Sequence, residues 1–342
     1  MTKFYLSIGT ACGMAIGSSF AGLEMEAGDG ILKFTGGEGA GKGKHIVLIA
    51  GDEEYRSEET MPMLAKILTE RHGFDTTVIF SADEDGTINP KANKNLSGAE
   101  VLDSADAMIV NIRFREWDDE AMKHFDGAMN RGIPVIGLRT STHAFKFPKE
   151  SKWFEWSFNH STGGYGRTVL GETWISHWGH HKFEATRTVV EEGQEQNPLL
   201  NGVESIFGDS DTYEAAPPED ATILLRGLVL EGMGVDDGLS KVEKAPKGGE
   251  KQNVNEPAMP VAWSREVGNK AGTTNRVLTT TMGAATDFAD EDLRRLVVNG
   301  IFWGLEMEVP AKADVTPVGE WVPSNYGYKD GKSGLKAADF AK

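Results

Sequence analysis

Short, nearly continuous apolar runs alternate along the chain with segments whose apolar residues recur at helical spacing. Such runs are typical of strands that are buried on both faces of a parallel sheet. Recurrence every three or four residues is typical of helices that pack against a sheet. The pattern predicts strands at 45–51, 76–80, 107–112 and 134–138, and helices beginning near Ser57, Ala99 and Asp118.

The alternation of strands and helices predicts an α/β fold, with a doubly wound, mostly parallel sheet flanked by helices. Further strands are predicted at 183–190, 222–229, 260–263 and 276–283, and Asp290 begins a last helix. Because nothing interrupts this order, we expect one domain over 45–308. Residues 22–44 are predicted to be a Gly-rich linker, 236–256 a mobile surface insertion, and 309–342 an extended tail.

The first 21 residues have the pattern of a secretory signal peptide. Lys3 precedes an uncharged run over 4–20, and Ser19-Phe20-Ala21 supplies the small residues of a cleavage site near Ala21. We therefore expect a periplasmic or secreted protein that is not stably inserted in a membrane after cleavage. Cys12, the only cysteine, lies inside this segment, so the mature chain would have no disulfide, no thiolate metal site and no Cys nucleophile.

Charge excludes one class of partner. The 342 residues carry a net charge of −17, which disfavours binding to nucleic acid. A small-molecule sugar is the expected partner, and a homo-oligomer is left open.

Polar residues follow three of the predicted strands. Arg56, Arg113 and Arg139 each come just after a strand, and His143 lies in the turn after 134–138. Because ligands of open α/β sheets bind at the carboxyl ends of the strands, these side chains are expected to meet at one edge. Positive charges there would stabilise an oxyanion or enediolate, although a structural salt-bridge network is an equal alternative.

A second cluster combines histidines with aromatic side chains. His177, His180 and His181 lie within five residues, close to Trp174 and Trp178. Histidine is the usual acid or base near neutral pH, and aromatic rings stack on the C–H faces of sugars. No cofactor is predicted with certainty; a divalent metal on His177 and His181 is the alternative to a metal-free sugar cleft.

Four ordered stretches carry a family resemblance: 45–59, 134–145, 209–214, and 260–263 with 276–283. In this order they resemble the ThuA-like (trehalose utilisation) family of the class I glutamine amidotransferase-like superfamily, which implies a flavodoxin-like sheet. The family often has Gly-apolar-His at the elbow, whereas this chain has Gly137-Leu138-Arg139, so the role of that His does not transfer to Arg139. Without an elbow Cys, glutamine amidotransferase chemistry is excluded.

The resemblance implies a role in sugar catabolism, with keto-sugars or keto-glycosides as substrates. The leading hypothesis is an exported keto-glycoside hydrolase or lyase, or a keto-sugar isomerase, that uses acid/base chemistry. The alternatives are a non-catalytic sugar-binding protein of the envelope and a metal-dependent hydrolase. The candidate catalytic residues are His143, His177, Arg139 and Glu172. The candidate substrate-binding residues are Glu53, Tyr55, Arg56, Arg113, Trp174, Trp178, His180, His181, Asp211 and Tyr213.

Overall fold

The apolar runs of the sequence form the centre of one large sheet. The structure, a computed structural model, describes residues 24–329 and 331–341. Its strands are β1 Glu24–Gly28, β2 Ile31–Thr35, β3 His45–Gly51, β4 Asp75–Phe80, β5 Ala107–Ile112, β6 Val135–Leu138, β7 Thr186–Val190, β8 Phe207–Gly208, β9 Thr222–Val229, β10 Glu243–Lys244, β11 Gln252–Asn253, β12 Met259–Gly268 and β13 Thr274–Thr280. Its α-helices are α1 Ser57–His72, α2 Asp119–Asn130 and α3 Glu291–Gly304.

The helices cover both faces of this sheet. Successive residues of β3 point to opposite faces: Ile46 and Leu48 pack in the core that contains α1 and α3, and Val47 and Ile49 pack in the core that contains α2. Local signals set the helix ends. The Asp118 side chain accepts a hydrogen bond from the Ala121 amide at 2.9 Å, which caps α2.

The sheet is large and mixed, with the predicted parallel centre and antiparallel strands on both sides of it. Its order is β1-β2-β4-β3-β5-β6-β13-β12-β9-β7-β8. The pairs from β4 to β13 are parallel, and every pair outside this centre is antiparallel. Antiparallel strands can be joined by a short hairpin, as β1 is to β2 and β12 to β13, whereas parallel strands need a longer crossover connection. The α/β class itself is confirmed.

Three segments also differ in detail from the prediction. The predicted linker 22–44 contains the β1–β2 hairpin, which joins the sheet at β4 because Leu32 and Phe34 are buried on the core side. The predicted insertion 236–256 is largely exposed but carries the paired strands β10 and β11. The predicted strand 183–190 begins only at Thr186, and Phe183 lies exposed.

The C-terminal tail is extended, as predicted, yet it is partly built into the core. Ala313, Val315 and Ala337 are buried in the same core as α1. The predicted signal segment 1–21 lies outside the described residues. Among the residues that are described, no helix has the length and apolar character needed to cross a bilayer.

Candidate functional site

Polar side chains tie together the carboxyl ends of β3, β5 and β6. The buried Asp52 carboxylate accepts hydrogen bonds from the amides of Glu54 at 2.6 Å and Tyr55 at 2.7 Å, and from the Thr140 hydroxyl. Asn111 at the end of β5 lies 3.3 Å from the same hydroxyl. Burial and the nearby Glu53 charge raise the pKa of Asp52 to about 6. This network fixes the loops that follow the parallel strands.

The same three loops hold backbone strain. Arg56, Phe114 and Arg139 have φ values of 63°, 50° and 36°, in the left-handed region that residues with a Cβ rarely adopt. Each follows a different parallel strand within a few residues. Strained residues persist where the surrounding structure over-determines them, and they cluster at binding and catalytic sites. The strain therefore marks this edge of the sheet as the candidate site.

Two extended segments outside the parallel sheet bring the histidines to this edge. His177 forms an antiparallel bridge with Tyr213, and the Trp178 amide donates to the Thr212 carbonyl at 2.8 Å. This register places the side chain of Asp211 beside that of His177. The sequence does not reveal that these two segments pair, because they are far apart along the chain and meet only in the folded protein.

Asp211 is the centre of the cluster. It is buried, and its two carboxylate oxygens accept from His177 Nδ1 and His181 Nδ1, both at 2.8 Å. His181 Nε2 lies 3.4 Å from Glu54 Oε1. Hydrogen bonds to Asp211 and Glu54 raise the pKa of His181 to about 9, so it is an imidazolium at neutral pH. Burial opposes ionisation of Asp211, but the hydrogen bonds from His177 and His181 lower its pKa well below the usual value.

Arg139 lies beneath this cluster and supports it. Its guanidinium is sandwiched between the rings of Tyr55 and Tyr213, 4.2 Å from each centroid, and it donates to Asp211 Oδ1 at 3.1 Å and to the Thr281 carbonyl at 2.9 Å. Arg139 and Tyr55 are fully buried and Tyr213 nearly so. Arg139 was predicted to be catalytic and the two tyrosines to bind substrate, but their burial gives all three a structural role instead. Arg139 holds the Asp211 carboxylate, and the two tyrosine rings hold the Arg139 guanidinium between them.

His143 lies in an aromatic pocket next to the cluster. It is buried, with ring centroids 5.1 Å from Phe114 and 5.7 Å from Trp174. Burial, together with the charges of Arg113 and Arg139, lowers the pKa of His143 well below its usual value. His143 is therefore neutral at pH 7. Trp174 also contacts His177, at 5.9 Å between centroids, so it joins the two histidines.

Four other predicted site residues serve the scaffold. The Glu172 carboxylate is buried and held by Arg167 and by the amides of Thr173 and Ala216. Arg56 donates to the tail carbonyls of Gly327 and Lys329. The Trp178 indole is buried and donates to the Val254 carbonyl at 2.8 Å, and the exposed His180 stacks on Phe183 at 4.5 Å. These contacts assign each of the four residues a structural role in place of the predicted role in catalysis or substrate binding.

The tail supplies two residues that the sequence analysis missed. Tyr326 stacks on Tyr55 at 5.2 Å, and the exposed Tyr328 accepts from Arg113 at 2.9 Å. Arg113 also pairs with Glu53, which in turn pairs with Arg115 at 3.0 Å. Predicted residues Glu53 and Arg113 therefore lie at the edge of the site, bound to each other. The two tyrosines of the extended tail carried no periodic signal in the sequence.

Within the described part of the chain, one group of side chains has the spacing of metal ligands. Donor atoms of His177, His181 and Asp211 all lie within 4.8 Å of one another. Two imidazoles and a carboxylate suit several divalent metals. Both Nδ1 atoms, however, already donate to Asp211, and the buried Arg139 charge lies against the same carboxylate. A cation bound through these Nδ1 atoms would displace both hydrogen bonds and lie near the positive charge of Arg139.

The family now follows from the sequence comparison. The profile described as "ThuA: Trehalose utilisation" matches residues 46–304. The chain belongs to the ThuA family. This match includes β3 to α3, and with them most residues of the site. No curated protein is significantly similar in sequence.

Solved structures of ThuA-like proteins are among the structural neighbours. One, from Bacteroides uniformis ATCC 8492, is 16% identical, with a TM-score of 0.47 over 78% of this chain and 93% of that chain. Another, from Parabacteroides merdae ATCC 43184, is 14% identical, with a TM-score of 0.49 over 88% of this chain and 100% of that chain.

Proposed function

We propose that this ThuA-family protein is an exported enzyme that acts on keto-sugars or keto-glycosides by removing a proton from the carbon next to the carbonyl. The observation that carries the proposal is the Asp211 carboxylate shared by the Nδ1 atoms of His177 and His181. We also assign the parallel centre of the sheet to the doubly wound, flavodoxin-like type. Its five strands lie in the order second, first, third, fourth, fifth along the chain, as in that fold.

His177 is the proposed base. Its Nδ1 donates to Asp211, which fixes the tautomer that leaves Nε2 free of a proton, and its side chain is 38% exposed. A base oriented by a carboxylate in this way is the arrangement of a His–Asp dyad. Proton removal breaks the C–H bond, and the electron pair moves into a C=C bond while the carbonyl becomes an enolate.

His181 is the proposed electrostatic partner. It lies beside His177, with ring centroids 4.6 Å apart, and its cationic form is stabilised by Asp211 and Glu54. A positive charge there stabilises the enolate oxygen. In a glycoside, collapse of the enolate expels the alcohol from the adjacent carbon, and addition of water to the resulting enone completes hydrolysis. In a free keto-sugar, the hydroxyl proton of the enediolate moves to the former carbonyl oxygen, and return of the abstracted proton to the former carbonyl carbon gives an isomer.

The test uses the purified mature chain with a panel of keto-glycosides, including 3-keto-trehalose, in D₂O. We expect deuterium incorporation next to the carbonyl and release of the alcohol. His177→Ala is expected to lower the rate by about 10²–10⁴-fold, the usual contribution of a general base. His180→Ala is the matched control, since that neighbouring histidine lies exposed outside the cluster. If the wild type shows no exchange and no turnover with any member of the panel, the enzymatic function is refuted.

Two alternatives have their own outcomes. Saturable sugar binding without chemical change, lost in Trp174→Ala, would identify a sugar-binding protein, since Trp174 is a partly exposed aromatic beside His143. Stoichiometric metal in chelator-free protein, lost in Asp211→Asn, would identify a metal-dependent hydrolase.

Export is tested by sequencing the N-terminus of the protein recovered from the envelope or medium. We expect this N-terminus at Gly22.

A further inference from the structure

A large cleft opens beside the candidate site, at the carboxyl ends of β3, β5 and β6. It has a volume of about 760 Å³, within the range of ligand sites. Its lining includes Glu53 and Phe114 from the site, and Lys91, Lys146 and Lys149. We propose that this cleft binds the charged part of an acidic sugar, a hexuronate or a sugar phosphate. The proposal rests on the proposed function for its link to sugar chemistry, and it names the class of substrate.

The charges in the cleft support an anionic ligand. Across 24–329 and 331–341, no carboxylate lies within 4.0 Å of the ammonium groups of Lys91, Lys146 and Lys149. All three lysines are exposed. The acids of the cleft are already paired, Glu53 with Arg113 and Arg115, and Glu116 with Lys94 at 3.6 Å. The chain carries a net charge of −17, but the three lysines make this cleft a local positive region. Such a region attracts anions.

Phe114 connects the lysines to the histidines. Its ring centroid lies 4.4 Å from the Arg113 guanidinium, 5.4 Å from Lys146 Nζ and 5.1 Å from the His143 ring. The positive φ of 50° at Phe114 shows that this loop is held in a strained conformation that presents the ring here. Arg113 and Lys146 thus place two positive charges beside this ring, where they would meet a charged substituent of the sugar. Asn93 and Asn159 add hydrogen-bonding groups for hydroxyls.

Binding to the full-length mature chain tests this proposal without any need for turnover. Calorimetry compares glucuronate, glucose 6-phosphate, glucose and inorganic phosphate at matched ionic strength. The variants are the double replacement Lys146→Ala with Lys149→Ala, and Lys241→Ala as control, because Lys241 is an exposed lysine in another part of the molecule. Circular dichroism confirms that each variant is folded.

We expect at least one acidic sugar to bind more than tenfold tighter than glucose, with affinity that falls as salt increases. The double variant is expected to lose that preference, and Lys241→Ala to keep it. Whichever of glucuronate and glucose 6-phosphate binds more tightly indicates whether the cleft recognises a carboxylate or a phosphate. Equal binding of glucose and the acidic sugars, inorganic phosphate binding as tightly as either acidic sugar, or an unchanged double variant would overturn the proposal.

The two proposals fail in different ways. Proton exchange on neutral keto-glycosides with no preference for acidic ones would refute the anionic cleft and leave the proposed enzyme intact. Tight, lysine-dependent binding of an acidic sugar without any exchange would leave the cleft intact and refute the proposed chemistry.

Discussion

Asp211→Asn is the substitution that most directly tests the architecture of the site. Asp211 and Arg139 form an ion pair whose side chains are both fully buried, so the charge of Arg139 loses its only ionised partner among the described side chains within 4.0 Å when Asp211 becomes neutral. Breaking one side of such a pair destabilises a protein by about 3–5 kcal/mol.

The structure indicates the lower end of this range. Arg139 would keep its donor contacts with the Tyr55 hydroxyl and the Thr281 carbonyl, and its position between two tyrosine rings. We therefore expect a loss of about 3 kcal/mol, which at about 2 °C per kcal/mol lowers Tm by about 6 °C. Differential scanning calorimetry and urea unfolding measure both quantities.

Asp209→Asn is the matched control, two residues away in the same loop. Burial and the charge of Asp287 raise the pKa of Asp209, so its ionised form is disfavoured, and its replacement is expected to be neutral or stabilising. NMR titration adds a second readout, because loss of Asp211 removes the main cause of the raised pKa of His181. An Asp211→Asn variant as stable as the wild type, or an Asp209→Asn variant equally destabilised, would refute this account of the site.

Two further predictions address groups behind the site. Burial raises the pKa of Asp52 to about 6, above its pKa in the unfolded chain. Ionisation of Asp52 therefore destabilises the fold as the pH rises from the unfolded-state pKa to the folded-state pKa. The difference in unfolding free energy between Asp52→Asn and the wild type, measured by urea unfolding, is expected to shift in favour of the variant by about 3 kcal/mol from about pH 3 to pH 8. A difference that does not change with pH would contradict this. Trp178→Phe removes the buried donor to the Val254 carbonyl. It is expected to destabilise the fold by about 1–2 kcal/mol while leaving keto-glycoside turnover unchanged, and a loss of turnover in a folded variant would return Trp178 to the site.

The sequence was most informative where local pattern decides structure. β3, β5 and β6, together with α1, α2 and α3, formed close to their predicted positions, because apolar runs, caps and helical spacing act over a few residues. The family resemblance was confirmed over residues 46–304. The same logic selected the candidate site residues, since polar residues that follow parallel strands reach one edge of the sheet, and their role in binding or catalysis stays a prediction.

Burial and pairing between distant segments were decided only by the tertiary structure. Arg139, Tyr55 and Glu172 have polar groups that fit a sugar site, but the fold buries them and gives them hydrogen-bond partners within the protein. Tyr326 and Tyr328 come from an extended tail whose path no local periodicity records.

The chain thus determined by itself the central strands and the three α-helices, and that no Cys nucleophile follows Leu138, since both depend only on residue type and short spacing. Which histidine meets which carboxylate depends on the antiparallel bridge between His177 and Tyr213, a contact of long sequence separation. That pairing converts Asp211 from one acidic loop residue among several into the residue that orients His177 and charges His181. Distances between strand ends are properties of the packed sheet, and they set the chemistry of this edge.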